Sequence, residues 1–259
     1  MSAEKLFTSV GEISRQVEST QMEKIQQAAM MAADAIAADR FAVMFGTGHS
    51  FMPIMDTFPR VGCFPGWLPI YELASTVVPM LSGNQGLRQV LFIEKAEGYG
   101  SVVLENYHLT PQDVMFVVSN SGTNTAGVEV ALGAKVRGLK VVAVTSVAHS
   151  SQSMSRHSSG KRLFEVADVV IDSCVPAGDA QVSIPGWASK VGAVSTIIGM
   201  MIMQSVASET ASILAARGVA LPVYPSHTSG QNAAEIEALE GEEERLMAEQ
   251  SRRMAGMYR

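Results

Sequence analysis

Short runs of β-branched and aromatic residues recur along the chain, each followed by a polar segment and then by apolar residues at helical spacing. Uninterrupted apolar runs of this length are typical of strands that are buried on both faces of a parallel sheet. The predicted strands are at 41–45, 114–118, 140–144 and 168–172. Strands that alternate with helices imply right-handed crossovers. The pattern therefore predicts an α/β fold, a three-layer αβα sandwich with a mainly parallel sheet.

Residues 3–38 have apolar positions at helical spacing and are predicted to form two amphipathic helices in succession. Gly11 and the pair Ser19 and Thr20 interrupt the pattern, and Thr20 followed by Glu23 has the spacing of a capping box. We expect this helical lead-in to pack on the sheet or on a partner subunit. Further helices are predicted at about 51–58, 100–107, 126–137 and 187–216.

Residues 187–216 form the longest apolar stretch of the chain, without a charged residue between Lys190 and Glu209. A run of this length is long enough to raise the possibility of a membrane span. Its content of Ser, Thr, Gly and Gln204, and its position after a complete sheet pattern, predict a core or interface helix instead.

The last part of the chain is rich in acidic residues and is predicted to be a solvated helix or a tail that clasps a partner. We therefore expect a single α/β domain over residues 1–225, which includes the N-terminal helices 3–38. A charged C-terminal segment, 226–259, follows it.

Two turns combine glycine with hydroxyl and amide side chains at the ends of predicted strands. Ser-Asn-Ser-Gly-Thr-Asn occupies 119–124, and Gly-Thr-Gly-His-Ser occupies 46–50. Each turn leads into a helix whose first N–H groups lack intrahelical partners and carry the positive end of the helix dipole. Such donors favour a tetrahedral anion, most often phosphate, although a plain capped helix is the alternative. Because such turns at neighbouring strand ends face one crevice, we expect them to share a site.

A dinucleotide-binding fingerprint is the rival interpretation of the first turn. The G-x-G-x-x-G pattern that begins at Gly46 requires a third glycine at position 51, and Phe51 is there instead. The sequence therefore disfavours a nucleotide-binding fold.

Composition and charge restrict the partners. Hydrophobic residues make up 47% of the 259 residues and charged residues only 17%, which favours an oligomer with apolar interfaces. The net charge of −6 argues against a general binder of nucleic acid or membrane surfaces. Cys63 and Cys174 lie far apart and outside any C-x-x-C pattern, so a reducing cytoplasm is expected. The histidines are scattered without metal-ligand spacing, and no metal or cofactor is predicted.

Three segments in order resemble the sugar isomerase (SIS) domain, namely 46–50, 119–124 and 141–146, the last reading Val-Val-Ala-Val-Thr-Ser. Downstream, Arg156-His157-Ser158-Ser159-Gly160-Lys161 and Gly178-Asp179-Ala180 resemble a branch near the phosphoheptose isomerases. The similarity covers most of the chain, roughly residues 1–225.

The resemblance implies that the turns bind the phosphate of a sugar. Ser50, Ser119, Ser121 and Asn124 would grip it, with Thr123 and its backbone assisting. Asn124 stands where several relatives have serine or threonine, and its amide is still able to donate a hydrogen bond. The candidate phosphate-binding residues are Gly48, Ser50, Ser119, Asn120, Ser121, Gly122, Thr123, Asn124, Thr145 and Ser146.

Aldose–ketose isomerisation moves one proton between two carbons through an enediol and needs a carboxylate or an imidazole. Several relatives place this residue in the helix after the fourth strand, whereas residues 191–208 contain no Asp, Glu or His. The candidates lie elsewhere in the chain. They are Glu72 in a loop expected to overhang the crevice, Glu94 and Glu97 at a helix entrance, His49 in the first turn, and His227 in a segment that relatives often lend to a neighbouring subunit.

The resemblance thus implies a phosphosugar-binding protein, and an aldose–ketose isomerase is the function we expect. Three alternatives stay open: a non-catalytic sugar-phosphate sensor, a lyase or etherase that acts on an amino-sugar phosphate, and an isomerase of a sulfonated sugar. The lack of an acid in the helix favours the sensor. The expected partner is a sugar phosphate, bound by a homodimer or homotetramer in the cytoplasm, with no nucleic acid or membrane involved.

Overall fold

A computed structural model describes residues 1–76, 86–226 and 232–258 of the chain. Its main sheet has five strands: β1 (Ala42–Gly46), β2 (Trp67–Pro69), β3 (Val114–Val118), β4 (Lys140–Thr145) and β5 (Val169–Asp172). All pairings within this sheet are parallel, and the strand order is β2-β1-β3-β4-β5. The four strands predicted from sequence are confirmed to within a residue or two. The short β2 adds an edge strand beside β1.

The described helices surround this sheet. In chain order they are α1 (Ser2–Ala37), α2 (Met52–Thr57), α3 (Gly86–Ile93), α4 (Tyr99–Glu105), α5 (Thr125–Val136), α6 (Val147–Ser151), α7 (Leu163–Val166), α8 (Ser195–Ala216) and α9 (Ala233–Met254). Short 3₁₀ turns occur at His49–Phe51 and Leu73–Ser75. A small antiparallel pair, β6 (Ala180–Val182) with β7 (Val191–Ala193), precedes α8.

Side chains from the two faces of the sheet form separate cores, which confirms the three-layer sandwich. Val114, Phe116 and Val118 of β3 enter a core shared with α1, α2 and α8. Met115 and Val117 enter the opposite core, shared with α4 and α5. This alternation on strands that are buried throughout is the pattern of a parallel sheet covered by helices on both faces.

The N-terminal region is one helix, α1, and the expectation of two helices over 3–38 is wrong. Ser19 and Thr20 do not start a new helix, because their hydroxyls donate back to the carbonyl of Gln16 at 3.1 and 2.7 Å within the helix. Ile25 and Ile36 of the same helix are buried against the sheet. This packing outweighs the cost of about 1 kcal/mol for a helical Gly11.

The apolar helix α8 is long and apolar enough to cross a membrane, yet 44% of its most apolar 18-residue window is buried inside the protein. Ile202 and Val206 lie in the core with α1 and α2. A Cβ atom added to Gly199 would approach Cγ of Pro53 to 2.9 Å, so the glycine permits a close approach of α8 to α2. The sequence predicts a core or interface helix over 187–216, and these contacts are those of a core helix. The helix begins only at Ser195, because residues 191–193 form β7.

The charged C-terminal helix α9 docks on the edge of the sheet. The Gln250 amide donates to the carbonyl of Trp67 at 2.9 Å and accepts from the N–H of Gly66 at 3.0 Å. Leu246 is fully buried in the core on the α1 side. The sequence predicts a solvated helix or a tail that clasps a partner; the segment is a helix, and its contact with β2 brings part of it into the core. The domain boundary near residue 225 stays a prediction.

Candidate functional site

The two glycine turns meet at one cavity. They follow β1 and β3, which are neighbours at the point where the strand order reverses, the usual place for a ligand in an open α/β sheet. The cavity holds about 320 Å³. Its lining consists of Thr47, Gly48, His49, Ser50, Val90, Leu91, Glu94, Ser119, Asn120, Ser121, Asn124, His149, Gly178, Asp179 and Ser195. The sharing of one site by the two turns, expected from sequence, is observed.

Gly122 determines the shape of the second turn. Its φ of 61° is left-handed, and an added Cβ would lie 2.7 Å from Oγ1 of Thr145. The N–H of Gly122 donates to Oγ of Ser119 at 3.2 Å, which closes the turn. The adjacent Ser121 lines the cavity, and its side chain is small.

Gly48 determines the shape of the first turn. It has a φ of 54°, and its N–H donates to the carbonyl of Ser75 at 2.7 Å. The chain then enters the 3₁₀ turn at His49–Phe51, where Phe51 is buried and Ser50 faces the cavity. Sequence-local turn chemistry thus places hydroxyl groups at the ends of both β1 and β3.

The structure divides the candidate phosphate-binding residues into two groups. Six line the cavity: Gly48, Ser50, Ser119, Asn120, Ser121 and Asn124. The other four are buried and are not part of its lining: Gly122, Thr123, Thr145 and Ser146. Oγ1 of Thr145 donates to the carbonyl of Asn120 at 3.4 Å, and Oγ of Ser146 donates to the carbonyl of Val175 at 2.6 Å. Buried hydroxyls with such partners position the turn.

Among the candidate acid–base residues, Glu94 and His49 line the cavity. Glu94 is partly buried, and Oγ1 of Thr47 donates to its Oε2 at 3.2 Å. Burial raises the pKa of the Glu94 carboxyl above its usual 4.5, against the opposing effect of the Thr47 hydrogen bond. His49 is exposed at the same cavity.

The other candidates have different surroundings in the structure. Oε1 of Glu72 accepts from Nδ2 of Asn106 at 3.4 Å, outside the lining of the cavity. Glu97 is also outside it; its carboxylate accepts from the backbone N–H of Ser158, which lowers the pKa of Glu97. His227 lies outside the described residues.

Asp179 and His149 line the cavity as well, although neither is among the site residues predicted from sequence. Asp179 accepts from the N–H groups of Val194 and Ser195 at 2.9 and 2.8 Å and from Oγ of Ser195 at 2.7 Å, so it caps α8 from a distant loop. His149 lines the cavity, and its Nδ1 is buried without a hydrogen-bond partner among the described residues. The N–H of His149 donates to Oγ of Ser146 at 3.0 Å, an N-cap spacing that is visible in sequence.

A metal site is not evident in the part of the chain that the structure describes, where no three His, Cys, Asp or Glu side chains form a cluster. The two cavity carboxylates are held by hydrogen bonds from protein donors instead: Glu94 by Thr47, and Asp179 by Val194 and Ser195.

The fold and this site define a sugar isomerase domain. A family model described as "SIS domain" matches residues 5–146, more than half of the chain. The chain therefore belongs to the SIS domain family, as its turn sequences predict.

Known proteins extend this assignment. A UPF0309 protein of Listeria monocytogenes is 34% identical over 220 residues, which are 85% of this chain and 88% of that protein. The phosphoheptose isomerase GmhA from Neisseria gonorrhoeae superimposes with a TM-score of 0.50 at 14% identity, covering 80% of this chain and 95% of that one. A phosphoheptose isomerase from Francisella tularensis gives a TM-score of 0.51 at 13% identity, covering 81% and 96%. At these identities the two structures show a common fold.

Proposed function

We propose that this protein is an aldose–ketose isomerase of a phosphorylated sugar, with Glu94 as the group that moves the proton between carbons. The observation that carries the proposal is the placement of the Glu94 carboxylate in the same cavity as the hydroxyls of Ser50, Ser119 and Ser121. The cavity thus combines donors that suit an anion with a carboxylate that can act as a base, and the reaction needs both.

The serine turns supply the anion-binding part. Their hydroxyls and the turn N–H groups donate hydrogen bonds without bulk, which suits the three outer oxygens of a phosphate. A cavity of about 320 Å³ is within the size range of small-molecule sites. The proteins that share this fold include phosphoheptose isomerases, whose name refers to a phosphorylated sugar.

Glu94 supplies the proton-transfer part. As a carboxylate it takes the proton from the carbon next to the carbonyl; the electrons of that C–H bond form the C=C bond, and the carbonyl π electrons move onto the oxygen to give an enediolate. The proton of the neighbouring hydroxyl passes to this oxygen, and the carboxylic acid returns its own proton to the former carbonyl carbon. Aldose and ketose thereby interconvert without a net change in charge. A pKa raised by burial brings this base closer to neutral pH, and such a group contributes on the order of 10²–10⁴-fold in rate.

The charge, the cysteines and the exposed apolar side chains of the chain support our proposals for its ligand class, its compartment and its assembly. The net charge of −6 favours a small-molecule ligand over nucleic acid, and the unpaired Cys63 and Cys174 favour a reducing cytoplasm. We include assembly into a homodimer or homotetramer in the proposal because large apolar side chains remain exposed on the single chain.

Proton NMR of a panel of aldose and ketose phosphates in D₂O tests the proposal. With the protein added, we expect deuterium at the carbon next to the carbonyl of one pair and growth of the partner sugar. The variant Glu94→Gln should bind without exchange. The matched control Glu97→Gln, altered outside the cavity, should exchange as the wild type does.

Other results would contradict an isomerase of a phosphorylated sugar. Signals that broaden on binding but never exchange would indicate a sugar-phosphate sensor. Release of a carbon fragment or an eliminated product would indicate a lyase or etherase on an amino-sugar phosphate. Exchange confined to sulfonated sugars would indicate the same isomerisation on a substrate that carries a sulfonate instead of a phosphate.

A further inference from the structure

The lining of the cavity contains carboxylates but no lysine or arginine. Within the described part of the chain, the carboxylates are those of Glu94 and Asp179. A phosphate ester carries about −1.5 to −2 charges at pH 7, so ionised carboxylates in the same cavity oppose its binding. The serine hydroxyls and the turn N–H groups donate hydrogen bonds without adding a net charge. A cation close to the lining would offset the repulsion.

Arg156 is a cation that contacts the lining. Its Nη1 donates to Oδ1 of Asn124 at 2.9 Å, and Asn124 lines the cavity. Among the lysine and arginine side chains of the described residues, that of Arg156 is the one that hydrogen-bonds to a residue of this lining. The guanidinium therefore adjoins the turn at 119–124, which is proposed to bind the phosphate.

The backbone of Arg156 is tied to the residues on both sides of Asn124. Its N–H donates to the carbonyl of Thr123 at 3.0 Å, and its carbonyl accepts from Oγ1 of Thr125 at 3.2 Å. These contacts hold Arg156 beside the turn and do not involve its side chain. A substitution of the side chain therefore leaves them in place.

The guanidinium of Arg156 has donors to spare. A guanidinium carries five N–H donors, and Asn124 accepts from one of them. Arg162, in the same segment, is paired with the carboxylate of Glu165 at 2.7 Å, whereas no Asp or Glu of the described chain forms a salt bridge with Arg156. The Arg156 side chain is also exposed. A planar guanidinium with free donors suits two oxygens of one phosphate.

We propose that Arg156 is the cation that binds the phosphate of the ligand, together with the hydroxyls of Ser119 and Ser121. Asn124 then holds the guanidinium next to the cavity. The inference rests on the proposed function for its ligand class, a phosphorylated sugar, and it does not depend on turnover.

The test compares Arg156→Gln with Lys161→Gln. Both substitutions remove one positive charge from an exposed residue of the same segment, and only Arg156 contacts the lining. Inorganic phosphate and glucose 6-phosphate are titrated at low salt, and binding is followed by the backbone amide signals of residues 119–124.

Arg156→Gln should raise Kd by about tenfold or more for both probes, because hydrogen bonds between charged groups are the strong ones. Lys161→Gln should change Kd by less than about twofold, as expected for an exposed charge without a contact to the site. Arg156→Lys, which keeps the charge and loses the planar fork, should recover part of the affinity. Thermal unfolding should be unchanged in all three variants.

Three results would overturn the role of Arg156. They are an unchanged Kd in Arg156→Gln, an equal loss of affinity in Arg156→Gln and Lys161→Gln, and wild-type protein whose amide signals respond to neither probe. An equal loss would indicate only the general field of the surface.

Failure of the proposed function gives a different result. Phosphate bound through Arg156, without deuterium exchange in any sugar phosphate, would refute the isomerase alone. Deuterium exchange together with an unchanged Kd in Arg156→Gln would refute the role of Arg156 alone.

Discussion

Glu94 combines burial with a small number of hydrogen bonds. Desolvation disfavours its charged form and raises its pKa, while the hydroxyl of Thr47 and the charges of Lys95 and Arg156 act in the opposite direction. Burial is the largest of these effects. A carboxylate whose pKa is raised in this way is a stronger base than an exposed glutamate.

Glu94→Gln should therefore abolish exchange at carbon, with a loss on the order of 10²–10⁴-fold in kcat, and should leave ligand binding intact. In the wild type, kcat/KM should fall as pH drops through the raised pKa of Glu94, at a higher pH than an ordinary glutamate near 4.5 would give. Kinetics across pH and ligand titrations measure both. If Glu94→Gln keeps activity and its kcat/KM still falls at the same acidic pH as in the wild type, the base is another residue.

The hydroxyl of Ser121 lines the cavity, and its one hydrogen bond within the described part of the chain is a long contact of 3.5 Å from the N–H of Thr123. Ser121→Ala should weaken sugar-phosphate binding by about 10-fold or more, because hydrogen bonds to charged groups contribute about 1.5–3 kcal/mol. Its thermal stability should change little. Calorimetric titration checks the affinity, with the exposed Ser151→Ala as control. Unchanged affinity in Ser121→Ala would indicate that the turn only caps the helix and does not bind the phosphate.

At the scale of elements, the edge strand β2 depends on α9. β2 pairs with β1 on one side, and its other side would expose backbone groups, a liability in sheet proteins. The Gln250 amide satisfies one donor and one acceptor there, on Gly66 and Trp67. One side chain of the C-terminal helix thus substitutes for a neighbouring strand.

Gln250→Ala should reduce the free energy of unfolding by about 1–3 kcal/mol, because it leaves a buried N–H and a buried carbonyl unpaired. Denaturant unfolding measures the change. Glu237→Ala, at an exposed position of the same helix, is the control and should be nearly neutral. Equal stability in both variants would mean that α9 does not protect the sheet edge.

At the scale of the whole molecule, several large apolar side chains face solvent on the single chain. Trp187 is 68% exposed and Ile197, on α8, is 46% exposed. Phe7 and Met22 of α1, which packs beside α8, are exposed as well. Apolar surface of this kind marks interaction sites when it is contiguous.

We therefore expect a homodimer or homotetramer in solution, to be measured by light scattering coupled to size exclusion. Ile197→Glu should shift the mass toward the monomer, because a charge would be buried without a partner at the interface. Val136→Glu, at a more exposed apolar position of α5, should leave the mass unchanged. A wild-type protein that is monomeric at all concentrations would refute this expectation.

Local sequence determined the strands, the two turns and the family. Apolar runs predict strands, and glycine with hydroxyl side chains at strand ends predicts turns. Both act through the backbone preferences of neighbouring residues, so each can be predicted from its own segment of sequence. Gly122 at a φ of 61° and the membership in the SIS domain family are results of this kind.

Only the tertiary structure decided which side chains share the cavity, and that the two predicted N-terminal helices form one continuous helix. Glu94 and Glu97 are equally good candidates from sequence, since both lie at the same predicted helix entrance. In the structure Glu94 lines the cavity, whereas the Glu97 carboxylate accepts from the N–H of Ser158. Asp179 and His149 join them from later loops, and packing on the sheet makes α1 continuous. These outcomes depend on contacts between residues far apart in the chain, whose geometry no local pattern encodes.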